Sequence, residues 1–168
     1  MLTCFYPALK GPGTERRDEL GNTAPYRSHP HLGEDEGYKG NSAGKPIYAV
    51  HDAVVTAVTN NPQLGWTTIY QIDSSECGCK WDGYHIENNH EIEKPTVKIG
   101  QKVTHYTEVI GKIGATGTAL SGSGADHLHY SMAKVPVPHT APLEHKISIW
   151  KLQDESAKNR AALRKASK

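Results

Sequence analysis

At 168 residues and a formal charge of +1, the chain has the size of one domain able to bury a core, and it lacks the global field that would favour nucleic acid or an anionic membrane as its main partner. No stretch reaches the ~18 consecutive apolar residues of a membrane span, and the opening MLTCFYPALKGPG lacks a basic region followed by an apolar one, so the sequence predicts a soluble chain without an export signal of its own. Three cysteines, with only Gly78 between Cys77 and Cys79, argue against a disulfide framework, whereas ten histidines against one Phe and two Met invite a search for metal ligands.

In chain order, residues 1–26 are rich in Gly, Pro and charge without a sustained period, and they are expected to form a wrapping loop segment with little chemistry. A β-branched stretch follows (Ile47, Tyr48, Val50, Val54, Val55, Val58), then a turn at Asn60-Asn61-Pro62, and a second strand is expected over 66–72. Further strands are expected over 96–99, 109–115 and 127–132, separated by glycine-bearing turns at 100–101 and 117–124. The body therefore reads as mainly β and antiparallel. After Pro136, Pro138 and Pro142, residues 147–168 read as a basic helix, a tail rather than a second domain. It either packs Ile149, Trp150 and Leu152 on the β body or offers its basic face to an acidic surface such as teichoic acid or an assembly partner. The boundaries that result are a domain over 1–140, with its core at 29–132, and a tail over 141–168.

Two histidine motifs carry the chemistry. His31-Leu32-Gly33-Glu34-Asp35 lies between Pro30 and Gly37, breakers that exclude a helix, so the imidazole and carboxylate are expected to meet where a loop enters a strand. In His127-Leu128-His129, a strand would point both imidazoles to one face and Leu128 to the other. Two imidazoles and one carboxylate suit a single zinc ion with a fourth position left for water, whose pKa such an ion lowers towards ~7. His31, Asp35 and His129 are the expected ligands. No H-E-x-x-H motif supplies a base, so His127 is the expected proton acceptor; His85 is the candidate second imidazole, for the oxyanion or the leaving amine.

These residues resemble the lysostaphin-type peptidoglycan metalloendopeptidases, in which H-x-G-x-D, A-H-L and H-L-H occur in that order. Here the motifs stand as HLGED, YHI and HLH, and the resemblance extends through KPIYAVHDAVVTAV and VKIGQKVTHYTEVIGKIGATGTALSGSGADHLHYSM, over 29–132. It implies an antiparallel β fold with an open groove (a duplicated hybrid motif), one catalytic Zn2+ on His31, Asp35 and His129, and His85 and His127 as the catalytic pair. It also implies hydrolysis of a stem or cross-bridge peptide of the bacterial cell wall. Asp126, Tyr84, Ile86 and Ser131 depart from the family pattern without removing a ligand.

The lack of a leader or of separate wall-binding repeats suggests a bacteriophage endolysin or tail-associated hydrolase. It would be carried on the virion or held in the host cytoplasm before release, extracellular if a leader was removed, and its helix is a candidate contact for other tail proteins. The competing class is a non-catalytic metallopeptidase-fold module of a phage tail or cell-wall assembly. A structural zinc site on Cys77, Cys79, Cys4 and His85 or His90 is disfavoured because C-x-C lacks the usual two-residue gap. A biotinyl or lipoyl carrier is disfavoured because the hairpin tip has no lysine. The remaining histidines, His90 among them, read as surface or satisfied polar residues.

Overall fold

The computed structural model of the protein describes residues 4–25, 27–73, 80–117 and 126–167; Cys77, Cys79 and most of the expected 117–124 turn lie outside these. Its main element is an antiparallel sheet of seven strands: β1 (Thr14–Asp18), β2 (Glu34–Tyr38), β4 (Ala53–Asn61), β5 (Gly65–Ile72), β6 (His85–Glu91), β7 (Lys102–Val103) and β9 (Leu128–Ala133). Their spatial order is β1-β2-β9-β6-β5-β4-β7, while β3 (Pro46–Tyr48) and β8 (Val109–Lys112) pair in a second, two-stranded sheet. Helix α1 (Ile149–Ala166) closes the chain, capped by the Ser148 side chain, which accepts from the Lys151 amide. Among the described residues, no helix is long and apolar enough to cross a membrane.

The mainly β, antiparallel architecture with a C-terminal helix is thus present, with local corrections. The N-terminal segment is more than a wrapping loop: it contributes β1, and Phe5, Ala8 and Leu9 enter the core. The strand expected over 96–99 is absent, and β6, a run of HIENNHE without alternation of apolar and polar residues, lies wholly buried at the centre. Cys4 is disulfide-bonded, which corrects the expectation against a disulfide and removes Cys4 as a thiolate ligand.

Register assigns the two faces of the sheet, because directly paired residues share a face. Leu128, Tyr130 and Met132 of β9 point into the core with Ile86 and Tyr70, joined by Ile47 and Ile110 of the small sheet. The opposite face carries His129, paired with Asp35 on one side and Asn89 on the other, and then Ser131, paired with Glu87. Strand β2 therefore divides its acidic residues: Asp35 faces away from the core, while Glu34 and Glu36 pair with Tyr130 and Leu128 on the core side. There Glu34 grips the start of α1, accepting from Ser148 Oγ and from the Ile149 and Trp150 amides. Ile149 and Leu152 are buried below it.

Candidate metal centre

The loop before β2, the start of β2 and the start of β9 bring three ligand atoms to one point. Asp35 Oδ1 lies 2.8 Å from His129 Nδ1 and 3.2 Å from His31 Nε2, and the two ring nitrogens are 3.1 Å apart. These spacings are close to the ~3.3 Å edge of a tetrahedron with ~2.0–2.1 Å metal–ligand bonds. The triad His31, Asp35 and His129 therefore fits a zinc ion on both donor chemistry and spacing.

Each ring nitrogen is aimed by what its outer side touches. His31 Nδ1 lies 3.1 Å from the Glu19 carbonyl, which can only accept, so the proton sits on Nδ1 and the Nε2 lone pair faces inward. Asp18 lies 3.8 Å from the same Nδ1 and pairs with Arg27, whose Nη2 stands 4.0 Å from the second Asp35 oxygen. The first twenty-odd residues, expected to carry little chemistry, thus build the outer support of the centre. Gly33 owes its place in the motif to the same crowding: a Cβ there would meet His129 Nε2 at 2.5 Å and the Tyr130 carbonyl at 2.7 Å.

Burial alone would raise the Asp35 carboxyl, but the close ring nitrogens of His129 and His31 and the nearby His127 hold it well below the ordinary carboxylate range. Burial lowers His129 against the opposing pull of Asp35, which keeps the ring neutral and its lone pair available.

Two further imidazoles border the triad. His127 enters just before β9 through a bridge to Gly114, and its Nε2 lies 3.7 Å from Asp35 Oδ1. The other is His90, not the expected His85. Its ring centroid is 5.2 Å from that of His127 and 5.7 Å from that of His129. The Leu64 carbonyl accepts from the His90 amide and the Thr116 carbonyl lies 2.8 Å from Nδ1, so the backbone turns through a positive φ of 61° and Nε2 is left on the inner side. Burial, followed by the nearby His129 and His127, pushes His90 down to about 4.

His85 pairs with Ala133 and Gln71, whereas His129 pairs with Asn89. Four residues of strand, roughly 13 Å at ~3.3 Å per residue, separate the two levels. His85 shares the face but stands apart from the triad along the strand, and His90 is the imidazole of β6 that the fold brings beside His129. The available signal for His90 was its polar context: Glu87-Asn88-Asn89-His90-Glu91 is an unbroken polar run between Ile86 and Ile92, and a polar run held in a sheet needs partners or a task.

No protein-family model matches the chain, and no curated protein matches it in sequence. Solved structures do. A zinc-containing peptidase from Vibrio cholerae superposes with a TM-score of 0.61 at 25% identity, over 83% of this chain and 40% of that one. Lysostaphin from Staphylococcus simulans gives a TM-score of 0.66 at 18% identity, over 92% of this chain and 55% of that one. A chain from the complex of SpoIIIAH and SpoIIQ gives a TM-score of 0.64 at 18% identity, over 88% of this chain and 98% of that one. The fold is that of the lysostaphin-type peptidases. The chain spans well under two thirds of the Vibrio cholerae and lysostaphin chains, so the lysostaphin-type fold here corresponds to a part of those proteins.

Proposed function

We propose that the protein is a zinc-dependent endopeptidase that hydrolyses peptide bonds of bacterial peptidoglycan, with His31, Asp35 and His129 as ligands and His90 and His127 as its proton-handling pair. One observation carries the reading: five polar side chains from three separate segments converge at one place, three within bonding range of a single ion and two at its border. Zinc held there supplies a Lewis acid for the scissile carbonyl and the attacking water. His127 would accept the water's proton, and His90, its Nδ1–H committed to Thr116, holds its Nε2 lone pair at the border of the centre as a second acceptor, through which that proton can pass on to the departing amine. The outer contacts of Glu19, Asp18 and Arg27 keep His31 and Asp35 from turning away.

The test is release of peptide fragments from purified peptidoglycan, with and without a chelator, for the wild type and His127→Ala. The expected result is chelator-sensitive release by the wild type, and none by His127→Ala at unchanged zinc content. Zinc-loaded protein that releases nothing from walls of several chemotypes would instead favour the non-catalytic binding module, a reading supported by the similarity to a chain of the SpoIIIAH–SpoIIQ complex. Delivery by a phage, as lysin or tail-associated hydrolase, is a separate proposal: a coding region lying among holin or tail genes supports it, and a leader cleaved upstream of Met1 removes it.

A further inference from the structure

The sheet face that carries the metal centre continues beyond it. Two residues along β6 from Asn89 lies Glu87, and on β9 its partner is Ser131, two residues from His129, so both face the same way as His129 at a distance of about 7 Å along the strands. A groove crosses this part of the face, lined by Ala57, Thr59 and Ile69 on its floor, with Glu87, Val137 and His139 at its edge.

Glu87 is fully buried, and its two oxygens accept from one residue: Oε2 from the His139 amide at 2.8 Å, and Oε1 from His139 Nδ1 at 2.6 Å. Lys146, which donates from Nζ to the Pro138 carbonyl at 2.6 Å, lies near enough to offset the carboxylate charge. A carboxylate can only accept, so the neutral ring keeps its proton on Nδ1 and turns the Nε2 lone pair outward. The His139 side chain is 30% exposed and forms part of the groove. Ser131 Oγ, in a residue only 3% exposed, has no hydrogen-bond partner and lies beside Glu87 in register. A merely structural latch would account for the Glu87 contacts. It would account neither for an imidazole with a fixed acceptor at the groove edge nor for an unmatched hydroxyl between that edge and the metal centre.

We propose that Glu87 and His139 form a peptide-binding subsite of the groove, in which His139 Nε2 accepts an N–H of the bound wall peptide and so fixes which residue lies next to the scissile bond. Two groups in peptidoglycan share this chemistry, a backbone amide and a primary ammonium. The inference rests on the peptidoglycan reading, but not on turnover. Glu87 positions the ring, fixing its tautomer through Nδ1, and His139 touches the substrate.

The test uses zinc-loaded protein carrying His127→Ala, so that binding of soluble stem peptides is read without hydrolysis, with His139→Asn as the probe. An asparagine amide can still donate to Glu87 but places no acceptor where Nε2 stood. The expected result is an unchanged melting temperature and a Kd weakened about tenfold, the size of one lost hydrogen bond to a partly desolvated partner. In protein that turns over, His139→Asn is expected to raise KM by the same factor with kcat within about twofold. Acetylating the free amine of the peptide separates the two sources. A tenfold loss in the parent protein that vanishes in His139→Asn identifies an ammonium; equal binding of both peptide forms, with His139→Asn still weaker, identifies an amide. A Kd for His139→Asn within twofold of its parent overturns the subsite, even if the protein proves to be an active peptidase. Should His139→Asn melt early, its Kd and its parent's are measured at a temperature where both are fully folded, under the same criterion. If the parent binds no wall peptide at all, both the subsite and the peptidoglycan reading fall, whereas binding without hydrolysis by the unmodified chain removes only the enzymatic reading.

Discussion

Among the described residues, imidazole meets carboxylate at three places, and their geometries differ in kind. At Asp52 and His105, one carboxylate oxygen accepts from the amide and from Nδ1 of the same histidine, at 2.7 and 2.6 Å. Glu87 and His139 repeat the arrangement with one oxygen for each donor. In both, the carboxylate takes its donors from a single histidine, and its own contacts are satisfied within the pair. At Asp35 the carboxylate instead meets ring nitrogens of three different histidines, at 2.8, 3.2 and 3.7 Å, and the nearest nitrogen of His31 has its lone pair turned inward. Acceptors that converge in a buried place need a cation between them. Contact between histidine and acid is thus no mark of a metal site; an excess of inward lone pairs is.

The sharpest way to break this comparison is to remove one member from each kind of pair. His129→Ala is expected to reduce zinc from about one ion per chain to near none and wall hydrolysis by at least ~10³-fold, while Asp52→Asn keeps its zinc; metal analysis of the two purified variants reads the difference. Equal zinc in His129→Ala and wild type would remove the triad. Next in size is the choice between His90 and His85. His90→Ala is expected to keep zinc and lose on the order of 10²–10⁴ in rate, whereas His85→Ala stays within a few fold of wild type. The opposite ranking would return the second imidazole to the far end of β6.

A smaller effect tests the other face of β2. Glu34→Ala leaves Ser148 Oγ and two amides of the helix start without their acceptor, which costs about 1–3 kcal/mol and lowers the melting temperature by about 2–4 °C for each kcal/mol. An unchanged melting temperature would mean that the clasp contributes nothing. The smallest expected effect is a pH dependence from Lys146. Burial pushes its ammonium down to about 8, with Glu87 opposing. Between that value and the ordinary ~10.4, the folded chain binds fewer protons than the unfolded one, so folding stability rises with pH across this window and the penalty of burying the charge is present in full below it. Relative to Lys146→Met, the wild type should therefore gain on the order of 1 kcal/mol from pH 8 to pH 10 in denaturant titrations. A constant difference between the two would contradict a buried, charged Lys146.

Local pattern explains what the sequence could and could not reveal. Strands β4, β5 and β9 are legible because their β-branched and aromatic residues alternate or run between turn residues, and α1 because breakers precede a long stretch of helix formers. Strand β6 is not, because His85, Glu87, Asn88, Asn89, His90 and Glu91 are polar residues buried by position, through pairing with β5 and β9, rather than by their own hydropathy. The same gap hid His90: YHI matches the A-H-L pattern of the lysostaphin-type peptidases better than NHE, but only the register of β6 against β9 tells which imidazole lies beside His129. Of the disulfide, Cys4 gave no sign, since its partner had to come from elsewhere in the chain and an odd number of cysteines argues against pairing.

The division of β2 between Asp35 on one side and Glu34 on the other has a consequence for any molecule that binds helix α1 or the metal centre. The backbone of three consecutive residues is a common rail for ion and helix, so tightening at one end is transmitted to the other. Thermodynamic reciprocity makes the influence equal in both directions for binding free energies. Loading with zinc should therefore slow amide hydrogen exchange in the first turn of α1, whose Ile149 amide is 115 positions from its acceptor Glu34 in sequence, and a ligand that lifts the helix should loosen the ion by the same factor.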